Sequence, residues 1–314
     1  MKVAVYHGLK SISLEEQPDP KAAHGEAIVK VKYCGICGTD VHSYHYEELY
    51  PRDTVLGHEI VGTVVETGRE VKGFRLGDRV VVNAQAGYAE YIRVTSPETS
   101  LYRIPDEVSF EEAVLWDPIA VPLRGIRQSR FRLGDNVVVA GAGAIGLSAV
   151  QLLRIGGARC IIVLEPSKKK RELARRLGAS ECLNPLEGER VLPELIKSLC
   201  GGTGVDIAFE CAGVPQSFLT ATKVVKRGGQ VLLLGVTEKA APLKAAELVM
   251  QEIEIKATLA FREEDIRLTL DFLAQHRFNT QDIVSDIISL NDLVKGLDRL
   301  VSPEESLIKV LVAP

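Results

Sequence analysis

A glycine-rich turn between an apolar run and a helical segment is the feature that most constrains the fold of this chain. The run Val137–Val139 leads into the turn Gly141–Gly146, and residues 136–153 carry no charged side chain. An uncharged stretch of 18 residues reaches the lower length limit of a transmembrane helix. Because three glycines interrupt it, we interpret it as a strand, a tight turn and a buried helix, and we predict no membrane span.

The turn belongs to a longer pattern in which apolar strands alternate with segments of helical length. Between about residues 135 and 260 the predicted strands are Val137–Ala140, Cys160–Leu164, Val205–Cys211, Gln230–Gly235 and Ile253–Leu259. Helical segments lie between them, at Lys168–Leu177 and Val214–Val225 for example. This alternation is typical of an α/β domain, and it predicts a doubly wound parallel sheet with helices on both faces.

The residues before about position 120 have a different texture. Short β-branched runs are separated by turn residues, at Ala27–Val31, Ile60–Val65, Arg79–Val82 and Tyr88–Val94. They predict a β-rich domain that is antiparallel and partly barrel-like. After residue 263 the pattern predicts two helices and two strands, at Asp265–His276, Ile283–Ile288, Leu293–Leu300 and Ile308–Val312.

The glycine turn also predicts dinucleotide binding. Glycines permit the close approach of a pyrophosphate, whose charge the N-terminus of the next helix stabilises. Glu165, at the end of the next strand, can bind the ribose hydroxyls and repels a 2′-phosphate, which favours NAD over NADP. The cations at positions 168–171 could instead attract that phosphate. The candidate cofactor-binding residues are Gly141, Gly143, Ala144, Ile145, Gly146, Glu165 and Lys170.

A second chemical signal combines a CxxC pair, Cys34 and Cys37, with the dipeptide His58-Glu59. A CxxC pair can be half of a zinc ribbon, a redox pair or a coincidence. No second CxxC occurs in the sequence, and the pair lies among predicted strands rather than before a thioredoxin-type helix. There remains a mixed metal site of one thiolate, one imidazole and one or two carboxylates, with a position open for substrate. A core histidine at His58 and a strand-edge charge at Glu59 stay open as the alternative.

Composition limits the partners and the compartment. The 38 Lys and Arg residues are balanced by 42 Asp and Glu residues, so no general attraction to nucleic acid is expected. Six cysteines in 314 residues are too few for a disulfide framework. The first ten residues lack the apolar core of a secretory signal. We therefore expect a cytoplasmic protein that acts on small molecules.

Six motifs lie along most of the chain. They are CGICGTDVH at Cys34–His42, LGHEIVGTVVETG at Leu56–Gly68, GDRV at Gly77–Val80, GYAEY at Gly87–Tyr91, WDPIAVPLRG at Trp116–Gly125 and AGAGAIG at Ala140–Gly146. Together they resemble the zinc-dependent medium-chain alcohol and polyol dehydrogenases, which include sorbitol, butanediol and threonine dehydrogenases. The resemblance implies a GroES-like catalytic domain, residues 1–120 and 261–314, that is split by an NAD-binding Rossmann domain, residues 121–260.

The resemblance also implies a metal site. Cys37 and His58 match the catalytic zinc ligands of the family, and Glu59 matches the adjacent carboxylate that binds or releases the metal. Asp117 falls where many polyol dehydrogenases carry a glutamate, so it either ligates zinc directly or contacts it through water. Cys34 matches no ligand.

The same resemblance assigns two supporting roles. Asp40 resembles the carboxylate that orients the zinc-binding histidine. Thr39 and His42 match the relay that carries the alcohol proton toward solvent by way of the cofactor ribose. In such enzymes zinc acts as a Lewis acid toward the substrate oxygen while hydride passes to the nicotinamide.

One departure from the family concerns a second zinc. Most members carry four closely spaced cysteines between the GDRV and GYAEY motifs, and these bind a structural zinc. No cysteine occurs from residue 38 to residue 159, so we expect one catalytic zinc and no structural zinc. Whether the natural protein lacks this lobe or only this sequence does stays open.

The expected function is zinc- and NAD-dependent oxidation of a secondary alcohol: a polyol, cyclitol, sugar or vicinal diol. An enzyme similar to L-threonine 3-dehydrogenase is the main alternative, because the CGTDVH motif and Asp117-Pro118 also resemble that group. A zinc-free quinone or enone reductase is disfavoured by Cys37, His58 and Glu59 together. A non-catalytic NAD-binding sensor is disfavoured by the joint presence of metal ligands and relay. The predicted edge strand Ile253–Leu259 and the family's usual dimer mode suggest a homodimer or homotetramer.

Overall fold

The computed structural model describes residues 1–46, 48–188, 191–237, 239–302 and 306–314. Two compact units are present: Met1–Asp117 with Ile266–Pro314, and Pro118–Asp265. The strands of both units are, in chain order, β1 (Lys2–Gly8), β2 (Ser11–Glu16), β3 (Ala27–Gly35), β4 (Thr54–Val55), β5 (Glu59–Thr67), β6 (Arg79–Val82), β7 (Tyr91–Val94), β8 (Leu101–Arg103), β9 (Asn136–Ala140), β10 (Cys160–Leu164), β11 (Glu181–Leu183), β12 (Val205–Glu210), β13 (Val225–Leu233), β14 (Glu254–Ala257), β15 (Val284–Ser289) and β16 (Lys309–Ala313).

Helices connect these strands. They are α1 (Gly38–His45), α2 (Pro97–Ser100), α3 (Phe110–Ala113), α4 (Trp116–Gln128), α5 (Ala144–Ile155), α6 (Lys168–Leu177), α7 (Leu192–Leu199), α8 (Pro215–Val224), α9 (Ala245–Gln251), α10 (Glu263–Ala274) and α11 (Leu293–Val301). Among the helices described, none has the length and apolar character needed to cross a bilayer.

The unit Pro118–Asp265 is built on a six-stranded parallel sheet. Its strand order is β11-β10-β9-β12-β13-β14, so the chain starts at the centre and winds outward in both directions. Val137–Val139 in the central strand is fully buried, as expected for a strand covered on both faces. The predicted doubly wound parallel sheet is therefore confirmed. In such a sheet ligands bind outside the carboxyl ends of the strands, where the winding direction changes between β9 and β12.

The other unit contains two sheets. A seven-stranded sheet has the path β15-β16-β3-β5-β6-β8, with β7 also paired to β3, and a smaller sheet has the order β2-β1-β4. The described pairs are antiparallel except for β15 and β16, which run parallel. The predicted β-rich, mainly antiparallel domain is thus present, and its parallel pair was not foreseen. Its core is formed by buried side chains of both sheets and of α11, such as Tyr6, Ile60 and Leu297.

Most predicted strands have somewhat different bounds in the structure, and two of them begin three or more residues away from the predicted start. The strand expected at Tyr88–Val94 begins at Tyr91, because Tyr88 and Glu90 bond to β1 and β3 instead: the Tyr88 carbonyl accepts from Ala4 N–H and the Glu90 carbonyl from Val31 N–H. The strand expected at Gln230 begins at Val225. Its pairing register with β12 shifts after Val205. The sequence did not indicate this early start, because Gly228 and Gly229 resemble turn residues that precede a strand.

The seven-stranded sheet brings distant parts of the chain to one place. Gly35, at the end of β3, pairs with Glu59 of β5 and with Leu311 of β16. The chain then passes Ile36, whose N–H donates to the Val310 carbonyl at 2.9 Å, and enters α1. The beginnings of α1, β5 and β16 therefore lie beside one another.

Candidate active site

Three side chains converge where α1, β5 and the segment before it meet. Single ligand atoms of Cys37, His58 and Glu59 all lie within 4.8 Å of one another. Cys37 caps the N-terminus of α1, and its backbone N–H donates to the Asp40 carboxylate at 3.1 Å. Thiolate, imidazole and carboxylate are the ligands that zinc prefers. The structure therefore brings together three of the four residues that the sequence predicted as a metal site.

Asp117, the fourth predicted ligand, lies outside this 4.8 Å set but near it. It sits in the first turn of α4 and is 7 % exposed. Burial foremost, and then the charge of Glu59, raise the pKa of its carboxyl group to about 7, although His58 and Lys309 act to lower it. Asp117 thus adds a second carboxylate to the electrostatics of the site.

A buried cation balances these acids. The Lys309 ammonium, from the start of β16, donates to both carboxylate oxygens of Glu59 at 2.6 and 2.7 Å and to the Ile36 carbonyl at 2.9 Å. Lys309 and Glu59 are 3 % and 1 % exposed. Burial lowers the pKa of Lys309, but the neighbouring acids, Glu59 foremost, raise it above the ordinary lysine value. Glu59 is therefore held between a cation and the His58–Cys37 pair.

His58 and Asp40 face each other with unsatisfied atoms. His58 Nδ1 lies 3.9 Å from Asp40 Oδ1, and both atoms are buried with no hydrogen-bond partner among the described residues. The other oxygen of Asp40 accepts from the Tyr88 hydroxyl at 2.7 Å and from Cys37 N–H. Burial lowers the pKa of His58. This effect is outweighed by the hydrogen bond to Cys37 and by the charges of Cys37, Asp40 and Asp117, so the pKa rises to about 11.

These observations fit a zinc ion. A histidine that binds a metal through one ring nitrogen needs an acceptor for the other nitrogen, and Asp40 Oδ1 is the unpaired acceptor beside His58 Nδ1. The donor set of Cys37, His58 and Glu59 would hold the ion, with Asp117 nearby.

Cys34 does not belong to the cluster. It is buried in the core of its unit, and burial raises the pKa of its thiol well above the ordinary value. Its sulfur fills the space above Gly57 and Gly87, where a Cβ would stand 2.7 and 2.5 Å from it. The CxxC pair is thus one candidate ligand and one packing residue.

The relay candidates lie one turn apart on α1. Thr39 Oγ1 and His42 Nδ1 are both shielded from solvent and have no hydrogen-bond partner among the described residues. The His42 ring packs at 5.6 Å from the Tyr46 ring. Two unsatisfied polar atoms on one helical face are suited to a bound partner that supplies their hydrogen bonds.

The glycine turn of the other unit has the backbone that a phosphate site requires. Gly141 has a φ of +101°, and a Cβ at Gly146 would stand 2.0 Å from the Gly141 carbonyl oxygen. Gly143 caps α5, and the space beside its Cα is open. Ala144 and Ile145 begin that helix. Backbone N–H groups at such a helix N-terminus form an anion site.

Glu165 follows β10, and its side chain is only 8 % exposed. Its carboxylate accepts from Ala142 N–H and from Ser167 N–H, both at 2.9 Å. A carboxylate has about four acceptor positions, so these two bonds leave room for two hydroxyl donors. Lys170 lies partly buried in the first turn of α6, where its N–H bonds to the Ser167 hydroxyl at 3.4 Å.

Two functional side chains were missed by sequence reasoning. The Lys309 ammonium bonds to Glu59 of the cluster, and the Tyr88 hydroxyl bonds to Asp40, the carboxylate beside His58. A lysine within the otherwise apolar run Ile308–Val312 was the available signal for the first. The tyrosine carried none, because tyrosine is an ordinary strand residue.

Comparison with known proteins agrees with the fold and the cluster. Residues 23–106 match the family model described as alcohol dehydrogenase GroES-like domain, and residues 144–275 match that described as zinc-binding dehydrogenase. The chain is 32% identical to (R,R)-butanediol dehydrogenase of Bacillus subtilis, in an alignment of 352 positions that covers all of both proteins. It is 28% identical to sorbitol dehydrogenase of the same organism, covering all of this chain and 97% of that one.

Other similarities extend the picture. L-threonine 3-dehydrogenase of Shewanella sp. (strain ANA-3) is 28% identical over 93% of this chain and 94% of its own length. The crystal structure of 2R,3R-butanediol dehydrogenase from Bacillus subtilis matches with a TM-score of 0.92 at 31% identity, covering 100% of this chain and 99% of that one. A protein described as a zinc-binding dehydrogenase of Sinorhizobium meliloti 1021, bound to NADP, matches with a TM-score of 0.90 at 26% identity, covering 100% and 99%.

Fold, cluster and relatives define a zinc- and nicotinamide-dependent oxidoreductase that acts on CH–OH groups. The chain belongs to the zinc-dependent medium-chain alcohol and polyol dehydrogenases, as its sequence motifs predicted.

The Lys309–Glu59 pair generates a testable prediction on the metal-free protein. Lys309→Met leaves a buried carboxylate without its cation, so we expect the free energy of unfolding to fall by about 3 to 5 kcal/mol. The double variant Glu59→Gln/Lys309→Met should recover much of that loss. Urea denaturation at pH 7 measures both.

A matched control uses the same substitution at an exposed pair. Lys295 bonds to Asp292 at 2.8 Å with 77 % of its side chain exposed, so Lys295→Met should change unfolding far less. If the loss in free energy of unfolding of the double variant equals the sum of the losses of the Glu59 and Lys309 single variants, the two charges are not directly coupled and the prediction is wrong.

Proposed function

We propose that this enzyme oxidises a secondary hydroxyl group of a polyol, cyclitol, sugar or vicinal diol, with NAD⁺ as hydride acceptor and one zinc per chain. The observation that carries the proposal is the cluster of Cys37, His58 and Glu59 with a second buried acid, Asp117, beside it. Two carboxylates at a metal site suit a polar substrate that offers more than one hydroxyl donor.

Different residues of the chain have different roles in the proposed reaction. When bound, zinc supplies a Lewis acid for the substrate oxygen, and the nicotinamide supplies the hydride acceptor. Cys37, His58 and Glu59 would hold the metal, and the Asp40 carboxylate would orient the ring of His58. The Thr39 hydroxyl accepts the proton of the substrate hydroxyl as it gives up its own, and the released proton reaches His42 by way of the cofactor ribose and then solvent.

Oxidation of L-threonine at its 3-hydroxyl group is the competing proposal. The support for it is the 28% identity to L-threonine 3-dehydrogenases over 93% of the chain and the Asp117-Pro118 pair at the site. A non-catalytic NAD sensor is disfavoured, because a sensor would need neither the metal ligands nor Thr39 and His42. We also propose that the enzyme works in the cytoplasm, since its six thiols are free.

The first prediction from this proposal concerns substrate. Butane-2,3-diol, sorbitol, an inositol, L-threonine and ethanol would be assayed with NAD⁺ and the zinc-loaded protein. We expect at least one diol or polyol to exceed ethanol about a hundredfold in kcat/KM, because polar groups of the site stay unpaired with a substrate lacking the second hydroxyl. Equal efficiency on ethanol and every diol would refute the polyol proposal, and strong selectivity for threonine would establish the competitor.

The second prediction concerns metal content. The intact protein should bind one zinc per chain, and Cys37→Ser should abolish both the metal and turnover, because a thiolate ligand is lost. Elemental analysis of the purified protein measures the ratio. Cys34→Ser is the matched control, since Cys34 is buried outside the cluster, and it should retain the zinc. Two tightly bound zincs per chain would contradict the proposal.

The third prediction concerns the cofactor. Wild type should prefer NAD⁺ to NADP⁺ by about tenfold or more in kcat/KM, or about 1.4 kcal/mol, because the Glu165 carboxylate repels a 2′-phosphate. Glu165→Ser should narrow this gap. Glu165→Gln is the sharper variant, because the amide oxygen can still accept from Ala142 N–H while the charge is removed. A wild type that prefers NADP⁺ would mean that the cations at 168–171 outweigh Glu165.

The fourth prediction concerns assembly. Strand β14 stands at the end of its sheet, and β13 is its one partner among the described strands. Ile255 on this strand is 36 % exposed and Leu259 just after it is 78 % exposed, so the outer edge is available to a second copy. Light scattering should give at least a dimer mass, and Ile255→Asp should weaken the dimer. Leu186→Asp, at a residue 74 % exposed elsewhere in the same unit, is the control. A concentration-independent mass of 34.2 kDa would refute this prediction.

A further inference from the structure

Glu210 is a buried carboxylate that the proposed function leaves without a role. It ends strand β12 and is 2 % exposed. Its Oε1 atom accepts from Ala212 N–H at 2.9 Å, from Gly213 N–H at 3.0 Å and from the Ser217 hydroxyl. A buried carboxylate that accepts three hydrogen bonds stabilises the position of the segments that carry the three donors. Here the partners are the turn formed by residues 211–213 and the first part of α8.

That turn forms one wall of the glycine turn. A Cβ built on Gly141 would stand 3.0 Å from the N, Cα and Cβ atoms of Ala212. Just before this contact, Cys211 N–H donates to the Ala140 carbonyl at 2.8 Å. The backbone at Gly141 and the backbone at Ala212 are therefore in direct contact, so a shift of one requires a shift of the other.

The far side of the 211–213 turn is equally closed. The Glu210 carbonyl accepts from Leu234 N–H and Gly235 N–H, both at 2.9 Å. A Cβ on Gly235 would stand 2.3 Å from Gly213 N, and Gly213 itself has a φ of +66°. The turn is therefore packed between Gly141 on one side and Gly235 on the other, and the Glu210 carboxylate accepts hydrogen bonds from two of its N–H groups.

We infer that Glu210 is a positioning residue for the dinucleotide, an inference that rests on the proposed function. The hydrogen bonds described for its carboxylate go to the 211–213 turn and to Ser217, so it acts through Ala212, which packs on Gly141. Without the carboxylate, the part-buried N–H groups of Ala212 and Gly213 lose their acceptor, and the turn rearranges toward other hydrogen-bond partners. The wall behind Gly141 then moves, and the N–H groups at the start of α5 lose the alignment that a pyrophosphate needs.

The test measures NADH binding by fluorescence on the zinc-loaded protein. Glu210→Ala should raise the dissociation constant of NADH about tenfold, within the range of coupling between contacting groups. The KM for NAD⁺ should rise similarly, while kcat at saturating NAD⁺ stays within about threefold of wild type. Glu210→Gln should restore most of the affinity, because the amide oxygen still accepts from Ala212 and Gly213 N–H.

Asp206→Ala is the matched control. Asp206 lies on the same strand at its opposite end, where it accepts from Asn136 N–H at 2.8 Å and pairs with Lys226. The substitution removes comparable bonds, so it should lower the melting temperature yet leave the NADH dissociation constant within about twofold of wild type. If Glu210→Ala weakened NADH binding only by destabilising the protein, Asp206→Ala would weaken NADH binding to the same extent.

Ala212→Val tests the contact without disturbing Glu210. The larger side chain presses on Gly141, so NADH affinity should fall at least about fivefold. If Glu210→Ala does not fold, this variant decides the question. A folded Glu210→Ala or Ala212→Val protein that binds NADH like wild type, or an Asp206→Ala protein that binds as weakly as Glu210→Ala, overturns the inference. A wild type that binds no nicotinamide cofactor refutes the proposed function instead.

Discussion

Neutralisation of charges taken out of water is the constraint on which the candidate metal site depends. Asp40, Glu59 and Asp117 are buried together with Lys309, and each charge that is left alone would be costly. In the seven-stranded sheet, β3 pairs with both β5 and β16. This pairing brings the Lys309 ammonium into hydrogen-bond contact with the Glu59 carboxylate, so the two charges neutralise each other. A side chain at position 35 would displace the Glu59 carboxylate from Lys309, because a Cβ on Gly35 would stand 2.1 Å from a Glu59 oxygen.

Much of the fold could be predicted from local signals. Arg79–Val82, Cys160–Leu164 and Lys168–Leu177 have in the structure the bounds that the sequence indicated, because turn residues flank each of them. Features that depend on pairing with distant segments were not predictable in the same way. The parallel pair of β15 and β16 is one example, and the early start of β13 is another.

The candidate site shows the same difference between residues that local motifs predict and contacts that depend on distant segments. Cys37, His58 and Glu59 lie in motifs whose residue types already suggest metal chemistry, and the structure brings them together. Lys309 is 250 residues from Glu59 in sequence, so only strand register shows that the two meet. Glu165 was predicted for the ribose, but its bonds to Ala142 and Ser167 emerge from the folded backbone alone. The contact of Ala212 with Gly141 likewise depends on two neighbouring parallel strands.

The distance in sequence between Glu59 and Lys309 has a consequence for how the protein is made. A ribosome delivers Cys37, His58, Glu59 and Asp117 long before it delivers the lysine, and the whole unit Pro118–Asp265 is synthesised in between. During that interval Glu59 lacks the ammonium group to which both of its carboxylate oxygens bond in the folded chain. The Glu59–Lys309 ion pair of the site therefore forms only at a late stage, after β16 has joined β3.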